Sequence, residues 1–238
     1  MKKIYYDFHI HTILSPCGDL DSTPNNVVNM AKIKGLDAIA ITDHNAVSNV
    51  RACIEVGKSV GLTVIPGMEL TTSEDVHIVC LFPELEKAEA FGEEVSRRRM
   101  KVKNKEQIFG EQIIMNSLDE EIGREEDLLI LATDIGVYDV KSLVEKYGGV
   151  CYPAHIDRPS NGILQILGAI DPEMGFAAAE VSLGGDEDAV GKAEGLFVIR
   201  SSDAHNIVDI AEKEDAAFIE AEENTVEDIL NTIRKKRE

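Results

Sequence analysis

Short β-type runs alternate with amphipathic helical segments along nearly the whole chain, and this alternation limits the fold more than any other feature. Lys3 to Phe8 reads as a strand. Thr23-Pro24 then opens a helix, with Thr23 as N-cap and Pro24 at the first helical position, and the helix closes near Gly35. Asp37 to Thr42 follows as an apolar strand and Val47 to Val60 as a helix ending at Gly61. Leu62 to Leu70 and Val76 to Phe82 read as further strands. The stretch 84–126 is charged and reads as largely helical, and Leu128 to Ala132 as a short strand. From Val140 the alternation resumes with a helix to Tyr147 and strands Val150 to Ala154, Ala177 to Ser182, Phe197 to Ser201 and Ala216 to Glu220. A last helix starts at Thr225, and its basic end, Arg234 to Arg237, suits the negative end of the helix dipole. Such alternation implies a parallel sheet with helical crossovers. A seven- or eight-stranded barrel and an open doubly wound sheet both satisfy it. No Pro/Gly/Ser-rich linker divides the 238 residues, so 1–238 reads as one α/β domain with 84–126 as an insertion.

The charge balance narrows the partners. Lys and Arg number 24 against 44 Asp and Glu, a formal charge of −20, which argues against nucleic acid and anionic membranes as partners. The N-terminal apolar run reaches Asp7 and His9 too soon for a signal peptide, and no apolar stretch is long enough to span a bilayer. A cytoplasmic protein is expected. The four cysteines, Cys17, Cys53, Cys80 and Cys151, form no C-x-x-C pair and read as free thiols. Three fall in helix or strand patterns; Cys17 lies in a loop.

The six histidines, His9, His11, His44, His77, His155 and His205, are placed unlike core residues. Each stands at or just past the end of an expected strand, except His77, which opens one. In parallel α/β folds the strand C-termini form the functional face. Six imidazoles meeting there make a poor core and a good metal site, since imidazole and carboxylate are the usual ligands of Zn, Fe and Mn. Asp7-Phe8-His9-Ile10-His11 puts two imidazoles on one side of an extended segment. Thr42-Asp43-His44 ends the second strand, Gly67-Met68-Glu69 supplies a carboxylate near the end of the third, and Asp203-Ala204-His205 again spaces two ligand types by two.

These motifs resemble those of the PHP superfamily, named for polymerase and histidinol phosphatase. Asp7-Phe8-His9-Ile10-His11-Thr12 is similar to its opening motif, Thr42-Asp43-His44 to its second, Pro153-Ala154-His155 to its third and Ser202-Asp203-Ala204-His205 to its last. Ile156 stands where a proline often follows the third histidine. The resemblance implies a distorted (β/α)7 TIM-like barrel with a small helical insertion and up to three metal ions. It implies His9, His11, Glu69 and Asp203 at one metal, Asp19, His44 and His205 at a second, and Glu69, His77 and His155 at a third. The Ser15-Pro16-Cys17-Gly18-Asp19 loop is longer than the family's usual one, which leaves Cys17 as an alternative ligand to Asp19 and Asp21 as a weaker one.

Two close divalent ions (Zn, Mn or Fe) can hold a bridging hydroxide at neutral pH and clamp a phosphoryl group. Hydrolysis of a small phosphate ester, such as a nucleotide or sugar phosphate, is therefore the expected function. Exonuclease-type cleavage of nucleic-acid ends and a non-catalytic metal-binding module are the alternatives. Asp43, next to His44, is expected to orient a metal ligand, to cap the following helix, or both. Arg158 resembles a phosphate-binding arginine of family phosphatases, and its planar guanidinium suits bidentate recognition. The basic run Arg97 to Lys105 reads as a solvated helix face or as a lid over an anionic substrate. The segment Gly185 to Lys192 looks like a P-loop, but its glycine spacing is wrong, Ala193 replaces the needed hydroxyl, and Asp186, Glu187 and Asp188 would repel phosphate.

Overall fold

A computed structural model describes residues 1–185 and 187–235. Asp186 of the dismissed P-loop and Lys236 and Arg237 of the terminal basic run lie outside the described residues. The chain forms a mixed α/β fold around a curled six-stranded sheet. The sheet is built from β1 (Lys2–Ile10), β2 (Ala38–Ile41), β3 (Thr63–Thr71), β4 (His77–Leu81), β7 (Val150–Pro153) and β10 (Phe218–Ala221), in the order β10-β1-β2-β3-β4-β7. A parallel pair, β8 (Ala178–Ser182) and β9 (Phe197–Ser201), stands beside it. The pair is tied to β7 by the Ile156 N–H donating to the Glu180 carbonyl at 2.9 Å, and to β1 by a parallel bridge between Ile10 and Ala204.

The expected all-parallel sheet is corrected at two strands, the edge strand β10, which runs antiparallel to β1, and β4. β1, β2 and β3 run parallel, whereas β4 is antiparallel to both β3 and β7. Only residues 72–76 separate β3 from β4, too few for the crossover that a parallel pair needs. They form a tight turn in which the Thr72 N–H donates to the Val76 carbonyl at 2.9 Å. Thr71 therefore faces His77 in register, and the start of β4 reaches the same end of the sheet as the C-termini of its neighbours.

The helices follow their sequence signals. In α1 (Pro24–Ile33) the Thr23 hydroxyl accepts from the Asn26 N–H, and Gly35 leaves the helix at φ +81°. α2 (Val50–Val60) stops at Gly61, φ +68°. In α8 (Val226–Arg234) Thr225 accepts from Asp228 N–H, and Ile229, Leu230 and Ile233 pack with Ile4, Tyr6, Phe8 and Tyr152 in the concave core. Alanines 38, 40, 154 and 178 leave room there for the three rings, and Tyr6 stacks on Phe8 at 4.0 Å. Ile10 instead packs with Val27, Val28 and Val50 on the helical side. The register shift between Asp7 and Ile10 separates these two faces and lets β1 turn His9 and His11 inward above the apolar layer.

The stretch 84–126 is helical only in its first half, as α3 (Leu85–Arg98) and the short α4 (Glu106–Phe109). Its second half is a hairpin of β5 (Ile113–Met115) and β6 (Glu121–Arg124). The expected strand Leu128 to Ala132 does not form. Side chains hold its peptide groups instead: Asn45 Nδ2 donates to the carbonyls of Leu129 (2.7 Å) and Leu131 (3.0 Å), and Leu129 N–H donates to Gln112 Oε1 (2.9 Å). α5 (Val137–Lys146), α6 (Ile163–Leu167) and α7 (Glu187–Lys192) complete the fold. No helix among the described residues is long and apolar enough to cross a membrane.

Candidate metal centre

The strand ends bring all six histidines together with Glu69 and Asp203. Glu69 lies at the middle, fully buried. Its Oε1 stands 3.2 Å from His9 Nε2, 2.8 Å from His77 Nδ1 and 3.1 Å from His155 Nε2. Its Oε2 stands 3.3 Å from His11 Nε2 and 2.9 Å from His44 Nδ1. Asp203 Oδ1 is 3.2 Å from His9 Nε2 and 3.1 Å from His11 Nε2. Three sets of donor atoms lie within 4.8 Å of one another: His9, His11, Glu69 and Asp203; His44, Glu69 and His77; and His11, His44 and His205. Donors held about 2.1 Å from one tetrahedral ion stand roughly 3.4 Å apart, close to the spacings of the first set.

Unsatisfied atoms support the fit to cations. His44 Nδ1, Glu69 Oε2, His155 Nδ1 and Glu180 Oε2 are buried and make no hydrogen bond, a cost that coordination would remove for those facing the cluster. His155 (φ +25°) and Asp203 (φ +54°) hold left-handed backbone, as does Asn45 (φ +48°) beside His44, the local strain that accumulates at functional sites.

The charges are strongly coupled in the metal-free protein. Burial works against charged imidazoles, yet Glu180, Asp203 and Glu69 outweigh it and hold His9 well above its usual pKa. Burial is likewise overcome at His11 by Asp203 and Glu69, and at His44 mainly by Glu69, so both rise to about 9. Burial pushes His77 down, and burial with the nearby His11 pushes His205 down to about 3. Burial would raise both carboxylates, but the surrounding imidazoles hold Glu69 and Asp203 well below the usual range. Such a site holds protons until a cation displaces them.

The contacts behind the cluster run through Ser15 and Glu180. Asp43 accepts from Thr12 N–H (2.8 Å), Thr12 Oγ1 (2.8 Å) and Ser15 Oγ (2.7 Å), and Ser15 Oγ lies 2.9 Å from His11 Nδ1. Asp43 thus reaches His11 through Ser15, whose Oγ also accepts the His44 N–H at 3.2 Å, while the N-cap of α2 is Asn49. Glu180, absent from the sequence reading, is fully buried in β8; its Oε1 is 2.8 Å from His9 Nδ1 and accepts the His155 N–H at 3.0 Å. The signal for it was a lone carboxylate in the apolar run Ala178-Ala179-Glu180-Val181. Asp19 is not brought into the cluster. It is exposed and its carboxylate accepts the Asp21 N–H at 2.8 Å, because the loop is fixed by Asp19 N–H donating to the His205 carbonyl (2.8 Å). Arg158 ion-pairs with Asp203 Oδ2 at the rim of a 130 Å³ cavity over the cluster. A neighbouring groove of 490 Å³ also begins at Arg158.

The basic run does not reach this cavity. Arg97 pairs with Glu94, Arg98 with Asp134, buried Arg99 with Glu125, Lys101 with Asp127 and Lys103 with Glu126.

Known proteins share both sequence and fold with this chain. Over 84 residues it is 36% identical to an uncharacterised protein of Methanocaldococcus jannaschii, a match covering 32% of this chain and 48% of that one. The lesion-specific endonuclease PfuEndoQ of Pyrococcus furiosus superposes with a TM-score of 0.70 at 17% identity, over 98% of this chain and 56% of its own. A protein assigned as a metal-dependent phosphoesterase from Bifidobacterium adolescentis superposes with a TM-score of 0.59 at 19% identity, over 89% of this chain and 90% of its own. The chain thus spans about half the length of the first two relatives. The PHP domain model matches residues 7–166, more than half of the chain and the segment carrying the motifs of His9, His44 and His155, and the chain belongs to the PHP family.

Proposed function

We propose that this chain hydrolyses phosphate esters using two or three divalent ions (zinc, manganese or iron) held by His9, His11, His44, Glu69, His77, His155, Asp203 and His205. One observation carries the reading: six imidazoles and two carboxylates converge, and four of those imidazoles with both carboxylates line a cavity whose rim bears an arginine. Bound ions would supply Lewis acidity toward phosphoryl oxygens and lower the pKa of water toward neutrality. The chain's own residues position and select. Glu180 at His9 Nδ1 and Ser15 at His11 Nδ1, itself fixed by Asp43, keep each Nε2 turned to the cluster. Arg158, about two-fifths exposed, offers its planar fork to phosphate oxygens. We read β1 to β4 and β7 to β9 as the seven strands of a distorted (β/α)7 barrel, with β10 outside it. Residues 84–126 then form an insertion beside the loops that follow β1 and β2.

The substrate we propose is a small phosphorylated molecule. The charge of −20 and the internal pairing of the basic run favour this over a polyanion. Cleavage of nucleic acid is the second reading. It is favoured by the fold shared with the endonuclease PfuEndoQ and with an Endonuclease Q solved in complex with a 27-mer duplex bearing an abasic lesion. Metal-replete protein assayed on aryl phosphomono- and diesters, nucleotides, sugar phosphates and end-labelled oligonucleotides separates the two. Turnover of oligonucleotides alone would replace the first reading by the second. Stoichiometric metal with no turnover on any ester would leave only a non-catalytic metal-binding module.

A further inference from the structure

Asp203 sits in left-handed backbone, φ +54°, and its carboxylate serves two directions: Oδ1 faces His9 and His11, and Oδ2 takes the ion pair of Arg158. A side chain is uncommon in that region and persists there only where its surroundings hold it. One residue holds the peptide groups on both sides of Asp203. Ser202 Oγ accepts the Ala204 N–H at 3.1 Å and donates to Asp7 Oδ2, while Asp7 Oδ1 accepts the Ser202 N–H at 3.0 Å. The Ala204 N–H is shared with His9 O at 3.2 Å, and the His11 N–H donates to Ala204 O at 2.9 Å. Asp7 itself is fully buried in β1 and meets donors on every side. Besides the two from Ser202, Oδ2 accepts the Ala211 N–H at 3.0 Å and Oδ1 the His9 N–H at 3.4 Å. Four donors around two oxygens suit an ionised carboxylate, whereas an amide would turn its own NH2 toward a donor. Asp7 belongs to none of the three donor sets, so ligation does not account for it.

We propose that Asp7 and Ser202 are positioning residues that lock Asp203 in its left-handed conformation and so set the aim of both its carboxylate oxygens. The inference rests on the metal reading above and deepens it. β1 carries His9 and His11 two and four residues after Asp7, and Asp203 directly follows Ser202 beyond the end of β9. The contact between the Asp7 carboxylate and Ser202 therefore joins the two strand ends at the register where the ligands of the first donor set meet. Without it, Asp203 is free to relax to ordinary backbone, which swings Oδ1 away from His9 and His11 and releases Arg158. A buried charge that touches no ligand side chain thereby governs one ligand and the arginine held behind it.

The test measures zinc affinity by competition with a chromophoric chelator, and folding by the thermal midpoint. Asp7→Asn and Ser202→Ala should each weaken the binding of at least one zinc equivalent about 10- to 100-fold, as loss of an orienting partner does. Ser202 is half-buried, so Ser202→Ala carries the test even where Asp7→Asn fails to fold. Ser202→Thr, which keeps the hydroxyl, should recover most of the affinity. A purely structural role is separated by a double-mutant cycle on Asp203→Gly, which has neither a carboxylate to aim nor a left-handed penalty. On that background Ser202→Ala should weaken zinc binding less than about twofold further. Wild-type affinity in folded Ser202→Ala, or the same loss with and without the Asp203 side chain, would overturn the positioning role and leave the metal centre standing. Failure of the wild type to bind any divalent metal would overturn this proposal together with the reading beneath it.

Discussion

Arg158 ion-pairs with Asp203 Oδ2, while the other oxygen of that carboxylate faces His9 and His11 at 3.2 and 3.1 Å. The arginine is therefore held over the cluster by the back of a candidate ligand. Arg158→Ala should leave the metal content unchanged and lower kcat/KM about 10- to 100-fold, the worth of one charged hydrogen bond to phosphate. Arg158→Lys should restore only part of it, because an ammonium cannot form the bidentate contact. Steady-state kinetics beside metal analysis check both; an unchanged kcat/KM in Arg158→Ala would remove the arginine from the site.

Glu69 touches five of the six histidines and is fully buried. Removing one partner of a buried charge cluster costs about 3–5 kcal/mol. Glu69→Gln should therefore lower the thermal midpoint of the metal-free protein and cost it at least one equivalent of metal. Calorimetry with and without chelator reads the first, and elemental analysis the second.

Glu180 acts on the cluster through His9, at 2.8 Å from its Nδ1. Glu180→Gln should weaken metal affinity about 10- to 100-fold, as loss of a ligand-orienting carboxylate does. Competition with a chromophoric chelator measures it. Unaltered affinity would make the carboxylate a packing group of β8.

The metal-free protein should lose stability as pH rises. His11 and His44 have folded pKa values near 9, above the unfolded value of 6.5. Their contribution is fully present below about 6.5 and is lost as pH climbs through about 9. Metal affinity should rise over the same window, because binding displaces those protons. The melting temperature of chelated protein should fall from pH 6.5 to 9.5, and the gap between metal-loaded and metal-free midpoints should widen.

Much of this arrangement was legible in the sequence, because the histidines lie where strands end and strand ends converge. What escaped has local causes. β4 was read as one more parallel strand because its apolar run carries no mark of direction, although the five-residue link before it forbids a crossover. Leu128 to Ala132 is apolar enough for a strand, yet Asn45 and Gln112 side chains from distant segments hold its backbone. Asp19 matched the expected ligand type, but the loop is held by its N–H bond to the His205 carbonyl and its exposed carboxylate accepts the Asp21 N–H. Glu180 lay inside a core strand, where a single carboxylate has no motif to announce it.

The hairpin that reverses β4 also divides the centre into a local part and a distant one. Glu69 and His77 belong to one short ribbon, so bringing them together forfeits little loop-closure entropy. His11 and Asp203 are 192 residues apart in the chain and meet only once the intervening strands are in place. A chain that has formed only this ribbon would already set two candidate ligands side by side, with the more distant side chains left to close around them.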